Sequence, residues 1–377
     1  MKKICIIAED YPSKGKPMFP FVQQLAFCLS NEGIECTVIA PQSVTKCLVR
    51  HEKIRKLKSI DINPEGKQIT VYRPLIITFS TTTSKWLSKL ACVFFERAVA
   101  RTFKKLKDIG TVYCYFWHIG LIAASALRKS KAQLIVQASE CEIFVNETYL
   151  HQDFLQRVNG VVCASRKNYD ESTEHGLITP GCRTAIIPNG FREDEFHVMD
   201  RAAARQELGI DPSAFIVAFV GGFEDRKGTR RLSSAIDRFP DVYSIFIGKG
   251  NEPPTCRNIL FQGTVDHTRV CTYLNCADIF VLPTNAEGCC NAIIEAVACG
   301  LPVVSSNKSF NDEILDESYS IRIDEDSVDE IEEAIRLLKD DCELRHRMSE
   351  QAAKASTQFK ISRRAQAIAG FIFGGTR

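Results

Sequence analysis

The chain has 377 residues, of which 45% are hydrophobic and 25% are charged, values of a globular protein long enough for two domains. Its sixteen cysteines are scattered and form no C-x-x-C pair, which favours reduced, buried thiols over a zinc site or a disulfide framework. The net charge of +2 hides an asymmetry. Residues 1–180 carry 25 Lys and Arg against 16 Asp and Glu, giving +9, and the remainder carries 23 against 30, giving −7. The basic first half indicates an anionic partner or surface, and no feature calls for a nucleic acid.

The start of the chain and the length of its apolar runs indicate where in the cell the protein is expected. Met1 and two lysines lead directly into a short apolar strand, too short for the core of a signal peptide. No apolar stretch has the length of a membrane span. We therefore expect a cytoplasmic protein, one that could also lie peripherally on the inner face of the plasma membrane.

Strand-like and helix-like segments alternate along the first half. The pattern predicts strands at 3–8, 35–40, 68–73, 111–115, 133–137 and 160–164, and helices at 19–31, 84–107 and 120–129. This order is typical of a mostly parallel sheet with helices on both faces. The turn signal at Asn189-Gly190 and the polar run 192–200 mark the crossing into a second domain.

The second half repeats the pattern. It predicts strands at 215–220, 244–247, 258–261, 279–282, 302–305 and 320–322, and helices at 230–238, 268–276, 291–299 and 328–339, with a helical tail after 351. The fold class is therefore α/β, with two doubly wound domains, at 1–190 and 191–355, facing each other across a cleft.

The stretch 279–305 reads as strand, loop, helix, strand, and it holds two informative acids. The predicted helix is apolar all round except for Glu295. A buried carboxylate is costly unless it is hydrogen-bonded; the hydroxyls of a ligand could serve, or a neighbouring arginine. Glu287 lies eight residues earlier, in the loop that leads to the helix N-terminus, where free N–H groups can bind phosphate. Alternatively, Glu287 is a solvated loop residue.

The string EGCCNAIIEAVACGLPVV at 287–304 resembles the E-x7-E signature of retaining glycosyltransferases of the GT-B fold, above all family four (glycosyl transferases group 1), which includes bacterial capsular and exopolysaccharide enzymes. The resemblance spans nearly the whole chain and is strongest from 187 to 304. It implies two Rossmann-like domains with a tail helix, 356–377, packing back on the first. It also implies a hexosyltransferase that moves a sugar from a nucleotide diphosphate donor, such as a UDP-sugar, to an acceptor hydroxyl, without a metal or cofactor.

The same resemblance assigns donor-side residues. Glu287 would hold the hydroxyls of the donor sugar, and Glu295 those of the ribose. Arg226 and Lys227 would stabilise the leaving diphosphate, although an isolated Arg-Lys pair can also be an exposed basic loop. The family's usual arginine is replaced by Gly222, and Arg226 could substitute for it. The remaining donor-side residues are Gly288, the N–H groups at Cys290 and Asn291, Val265 beside the base, and Gly15 near phosphate, where a plain turn is the alternative.

The acceptor side is less defined. His118 follows an aromatic strand end and could reach the acceptor, or it could be a packed core histidine. Glu140 stands where many relatives carry "HGSD" and is a candidate acceptor-side carboxylate. The D-x-D at 324–326 precedes a predicted helix and is better explained as N-terminal helix charge than as a metal site, so no metal site is predicted.

The segment 84–107 combines aromatic and aliphatic residues with seven cations. A basic amphipathic helix of this kind is typical of contact with an anionic membrane, and a second basic cluster at 50–58 supports it. The alternative is a helix half-buried on the sheet with a solvated basic face. With a membrane contact, the acceptor would be a lipid-linked or saccharide precursor of a surface polysaccharide or glycolipid.

Two rival functions share this architecture. One is a nucleotide-sugar 2-epimerase, which would act without an acceptor. The other is a non-catalytic sugar-nucleotide-binding protein, which would keep the contact of Glu295 but show no turnover. The presence of both Glu287 and Lys227 argues mildly against the second.

Overall fold

The computed structural model describes residues 2–13, 18–79 and 85–374. The chain packs as two units: Met1–Ala164 with Asn168–Ile187 and Ala365–Arg377 form the first, and Ser165–Lys167 with Pro188–Arg364 form the second. The structure divides the chain after residues 187 and 364, whereas the sequence predicts divisions after residues 190 and 355.

The first unit is built on ten strands and six helices. In chain order these are β1 Lys3–Ile7, α1 Pro20–Asn31, β2 Glu35–Ile39, β3 Gln42–Ser43, α2 Val44–Val49, β4 Lys58–Ile62, β5 Gln68–Tyr72, β6 Leu75–Ile76, α3 Lys85–Phe103, β7 Thr111–Tyr115, α4 Trp117–Ala126, β8 Gln133–Ala138, α5 Gln152–Leu155, β9 Val158–Cys163, α6 Arg166–Glu174 and β10 Arg183–Ile186. Eight of the strands form one sheet in the order β10-β9-β8-β7-β1-β2-β5-β4. All pairs in it are parallel except β4 with β5.

Alternation along β1 places apolar side chains on both faces of this sheet. Cys5 and Ile7 belong to one buried cluster, which helices α3 and α4 cover, and Ile4 and Ile6 belong to another, which α1 covers. A parallel sheet is buried on both faces, which explains why its strands read as continuous apolar runs.

Helix α3 corresponds to the predicted basic amphipathic helix at 84–107. Its apolar residues Cys92, Phe95 and Val99 are buried in the core of the first unit, and Phe94 and Phe103 pack against the same core. Phe94, Phe95 and Phe103 therefore pack on protein, as the alternative of a half-buried helix predicts. Trp86, near the start of α3, is 67% exposed, and contact of this helix with a membrane stays a prediction.

The second unit is built on six strands and six helices, and the last helix of the chain begins in it but belongs mostly to the first unit. These are α7 Arg201–Leu208, β11 Phe215–Val220, α8 Thr229–Ile236, β12 Val242–Ile247, β13 Ile259–Gly263, α9 His267–Asn275, β14 Ile279–Leu282, α10 Asn291–Ala298, β15 Val303–Ser306, β16 Ser320–Ile323, α11 Val328–Asp340, α12 Cys342–Ser356 and α13 Ile361–Phe373. The strand order is β13-β12-β11-β14-β15-β16, and every pair is parallel. The carboxyl ends of all six strands therefore lie along one edge of the sheet.

The chain passes between the units within α13. Ala365, Ile368 and Ile372 of this helix are buried in the α1 side of the first unit's core, and Arg183 donates to the carbonyl of Phe371 at 2.9 Å. The tail thus packs on the first unit, as the resemblance implies. Over the described parts of the chain, every helix is too short or too polar to span a bilayer.

Candidate functional site

Two loops meet at the carboxyl edge of the second sheet. The loop after β11 covers 221–228 and the loop after β14 covers 283–290, and the two strands are neighbours. Asn285 donates its N–H to the carbonyl of Arg226 at 2.8 Å. The strand order changes direction between β11 and β14, and such a switch point is where open α/β sheets bind ligands.

Glu287 is the centre of charge in these loops. Its Oε1 accepts hydrogen bonds from Lys227 Nζ, from Arg226 Nη1 at 3.2 Å and from Thr284 Oγ1 at 3.0 Å. The side chains of Glu287 and Lys227 are each only 12% exposed. Glu287 is therefore not a freely solvated loop residue, and the Arg-Lys pair is not an isolated basic loop.

Opposing effects set the charge of Lys227. Burial by itself lowers the pKa of Lys227, but nearby Cys290 and Glu287 outweigh it, and the net pKa is raised. Burial also raises the pKa of the Cys290 thiol to about 12, so this thiol is neutral at pH 7. The carboxylate of Glu287 is therefore the negative charge that lies against Lys227.

Gly222 lies against the pair formed by Glu224 and Arg226. A Cβ added at Gly222 would lie 3.2 Å from Glu224 Oε1, the same oxygen that accepts from Arg226 Nη2 at 2.7 Å. A side chain at 222 would thus enter the space that the pair of Glu224 and Arg226 fills. The guanidinium of Arg226 lies beside Glu287, and its role as a substitute for the family's arginine stays a prediction.

Three glycines at this edge of the sheet, Gly228, Gly248 and Gly250, are explained by close backbone contacts without a ligand. Gly228 has φ +73°, and an added Cβ would lie 2.3 Å from the carbonyl oxygen of Pro283, so only glycine lets the two loops approach. At Gly248 and Gly250 an added Cβ would lie 1.8 and 2.1 Å from the carbonyl oxygens of Gly221 and Phe223. The G-x-G segment is therefore explained by loop packing.

Glu295 has a protein partner that the sequence did not indicate. Its Oε1 lies 3.8 Å from His267 Nε2, and His267 Nδ1 lies 3.4 Å from Glu195 Oε2. Hydrogen bonds to Glu195 and Glu295 raise the pKa of His267 to about 10, and burial raises the pKa of Glu295. The cation beside Glu295 is His267, not the neighbouring arginine that the sequence left open as an alternative. Burial of Glu295 alone therefore no longer requires a ligand.

The other predicted donor residues that the structure describes lie in the second unit. Gly288 and Cys290 are buried ahead of α10, Asn291 is its exposed first residue, and Val265 is half-buried between β13 and α9. Asn291 Oδ1 accepts from Asn189 Nδ2 at 2.9 Å. Gly15 lies outside the described residues.

The acceptor-side candidates lie together in the first unit. Strands β8, β7 and β1 are parallel neighbours, so the loops that follow them share one edge. Glu140, after β8, accepts from the N–H groups of Trp117 at 2.5 Å and Ser139 at 2.8 Å. It thereby caps α4, whose preceding residue Phe116 has an unusual φ of +74°. Burial raises the pKa of Glu140 to about 7.

His118 and Glu140 line one cavity of about 640 Å³ in this unit. Among the described residues, His118 Nδ1 is buried without a hydrogen-bond partner, and burial lowers the pKa of its ring. A buried polar atom left unpaired is unusual for a merely packed histidine. The cavity wall combines acids and bases with apolar residues; it includes Glu9, Arg50, Arg55, Ile76, Phe95 and Ile122.

The acidic run at 324–326 has structural partners. Glu325 pairs with Lys308 Nζ at 2.8 Å, and Asp324 Oδ1 accepts the N–H of Asp326 at 3.1 Å. Ser327 caps α11 by accepting from the N–H of Glu330 at 3.2 Å. The three acids bring ligand atoms within 4.8 Å of one another, but they lie just ahead of α11, where helix N-terminal charge was predicted.

Three residues that contact the two acids were not predicted from the sequence. Thr284 donates to Glu287, and His267 and Glu195 surround Glu295. Thr284 could have been found from its position at a strand end three residues before Glu287. No sequence signal joins Glu195, His267 and Glu295, because only the fold brings them together.

Solved structures share the fold of this chain. Sucrose-phosphate synthase from Thermosynechococcus elongatus is similar with a TM-score of 0.75, at 16% identity over 98% of each chain. HepE from Anabaena, determined in complex with UDP, is similar with a TM-score of 0.71, at 17% identity over 99% of each chain. The protein therefore has the GT-B fold.

The sequence comparison agrees with this fold. Residues 200–355, which contain Glu287 and Lys227, match the family described as Glycosyl transferases group 1. The TuaC protein of Bacillus subtilis, whose name assigns it to teichuronic acid biosynthesis as a glycosyltransferase, is 27% identical over 323 residues, 81% of either chain. These findings confirm the resemblance drawn from 287–304.

Proposed function

We propose that the protein is a retaining, metal-independent glycosyltransferase. It transfers a sugar from a nucleotide diphosphate donor to an acceptor hydroxyl in the synthesis of a surface polysaccharide or glycolipid. The observation that carries this proposal is the carboxylate of Glu287 held between Lys227 and Arg226 at the strand ends of the family-matched segment.

The chemistry follows from that arrangement. When the sugar–diphosphate bond breaks, negative charge develops on the leaving diphosphate. Lys227, Arg226 and the N–H groups ahead of α10 would stabilise it. Glu287 would bind hydroxyls of the donor sugar, and Glu295, with the histidinium of His267 beside it, those of the ribose. Two fixed cations supply the charge that a metal ion supplies elsewhere.

A UDP-sugar is the proposed donor, since HepE was solved with UDP. The acceptor is proposed to be lipid-linked or a saccharide, in keeping with the role that the name of TuaC gives it. Glu140 and His118 would bind the acceptor in the cavity of the first unit. The proposed location is cytoplasmic, on the inner face of the membrane.

The test begins with a thermal-shift screen of UDP-glucose, UDP and GDP-mannose. We expect UDP-glucose and UDP to raise the melting temperature. Turnover is then followed with saccharide and lipid-linked acceptors, with and without EDTA, and the anomeric configuration of the product is read by NMR. Retention that persists in EDTA supports the proposal. Inversion or metal dependence would contradict it, and epimerised donor without acceptor would favour an epimerase.

A further inference from the structure

Strand β4, at the edge of the first sheet, has its polar and apolar faces reversed. Ser59 and Asp61 lie opposite Val71 and Ile69 of β5, which are fully buried. Ser59 accepts from Arg73 at 2.7 Å. Asp61 accepts from the hydroxyl of Tyr11 at 2.8 Å and from Gln23 at 2.7 Å. The polar residues of β4 therefore point to the interior.

The outward face carries the apolar residues instead. Ile60 and Ile62 are 56% and 59% exposed, and Lys58 shares their face because side chains alternate along a strand. An antiparallel strand with one face in water ordinarily presents polar residues there. A shift of one residue would bury both isoleucines, so the observed register leaves an apolar surface uncovered.

The neighbouring chain extends this surface. Of the fifteen large hydrophobic residues that are exposed in the described structure, six lie within residues 44–62: Leu48, Val49, Ile54, Leu57, Ile60 and Ile62. The second unit, residues 188–364, has three. We name residues 44–62 the basic-apolar segment.

Its charge is as distinctive as its hydrophobicity. The basic-apolar segment contains six Lys and Arg against two Asp and Glu, which gives +4. Lys53 and Lys56 are exposed, and no carboxylate of the described residues lies within ion-pair distance of either. Asp61, one of the two acids, is turned inward. Exposed aliphatic side chains interspersed with unpaired cations complement an anionic bilayer surface.

We infer that the basic-apolar segment is the surface by which the protein docks on anionic membranes. Helix α2 belongs to this segment and also lines the cavity of the first unit with Lys46 and Cys47, while its Leu48 and Val49 face solvent. A docked α2 would bring the cavity to the bilayer surface, where a lipid-linked acceptor is available. Only this last step rests on the proposed function.

The experiment measures binding of the full-length chain to vesicles of phosphatidylcholine alone and of phosphatidylcholine with phosphatidylglycerol. We expect salt-sensitive binding to the anionic vesicles. Lys53→Gln/Lys56→Gln/Lys58→Gln should weaken it on the order of a hundredfold, at about fivefold per cation. Ile60→Ser/Ile62→Ser should weaken it by about tenfold or more.

Matched control variants test whether binding depends on the basic-apolar segment in particular. Arg97→Gln/Arg101→Gln/Lys104→Gln removes three exposed cations of α3 and its C-terminal extension, and Leu260→Ser/Leu337→Ser removes two exposed leucines of the second unit. Both should bind as the wild type does. Thermal melts and the UDP thermal shift verify the fold of every variant. Should the serine pair lower stability, the glutamine triple, which alters only exposed side chains, decides the outcome.

Three results would overturn the inference. In the first, the wild type does not bind anionic vesicles; in the second, only the α3 variant loses binding. In the third, Ile60→Ser/Ile62→Ser converts a dimer into a monomer and leaves vesicle binding intact. The last would show that β4 pairs two copies of the chain. Glycosyl transfer to a soluble acceptor is measured without vesicles. Transfer can therefore persist while docking fails, and the two proposals are distinguishable.

Discussion

Replacing Glu287 tests the proposed site most directly. Its Oε1 accepts from Lys227, Arg226 and Thr284, and in the reaction it would bind the donor sugar. Removal of one such preorganised contact typically costs about 3 kcal/mol in the barrier, which lowers kcat by about 10²–10³-fold. We expect Glu287→Gln to show this loss and Glu287→Ala to show at least as much.

Stability provides a second, separate readout. In Glu287→Ala the nearly buried Lys227 loses the carboxylate that balances its charge, and removal of one member of a buried pair costs about 3 kcal/mol. Glu287→Gln keeps a hydrogen-bond acceptor for Lys227 and should be less destabilised. Urea unfolding of both variants measures the difference.

Glu224 provides the matched control. It also pairs with Arg226, at 2.7 Å, but its side chain is 50% exposed, and exposed pairs are worth at most about 1 kcal/mol. Glu224→Gln should transfer sugar at close to the wild-type rate, measured as initial rates with saturating UDP-sugar. A folded Glu287→Gln protein with turnover comparable to that of Glu224→Gln would refute the role given to Glu287.

Three further predictions follow from the charges of the site. Lys227→Ala should lower kcat by about 10²–10³-fold and Arg226→Ala less, because Lys227 is the more buried of the two; initial rates measure both. The folded pKa of His267, about 10, exceeds its ordinary value, so its stabilising effect is complete below about pH 6.5 and disappears as pH rises through 10. Because His267 is largely exposed, His267→Gln should cost only about 1 kcal/mol at pH 6, and this difference from wild type in urea unfolding should shrink towards pH 10. With the pKa of Glu140 near 7, kcat/KM should rise with pH through about 7, and Glu140→Gln should lack this rise in a pH–rate profile.

The elements that carry the proposed chemistry could be predicted because their signals are local. The strands Phe215–Val220 and Ile279–Leu282 were predicted with these bounds, since each is a continuous apolar run closed by loop residues. Parallel strands then bring their carboxyl ends to one edge, so Lys227 and Glu287 had to be close although sixty residues separate them in the chain.

Other features depend on long-range packing and could not be predicted. Strand β4 was not predicted, because its buried face is polar and its exposed face is apolar. The alternation of polar and apolar residues along it therefore does not indicate which side is buried. Helix α3 shows the converse: the sequence cannot distinguish an apolar face that packs on a core from one that meets a membrane. The basic-apolar segment 44–62 was recognised only as the cluster 50–58, since exposure of its aliphatic residues is a property of the fold.

In the structure, Glu287 and not Glu295 is the acid that best indicates a function. Glu295 was the anomaly in the sequence, a carboxylate in an apolar helix, yet His267 already provides a countercharge. Glu287 is the stronger indicator, because one carboxylate oxygen faces two cations in loops at a ligand-binding edge. Glu287 and the half-exposed Glu224 together balance the charges of Lys227 and Arg226. An incoming diphosphate would compete with these carboxylates for the two cations, and in taking them over it would release Glu287 to bind the sugar.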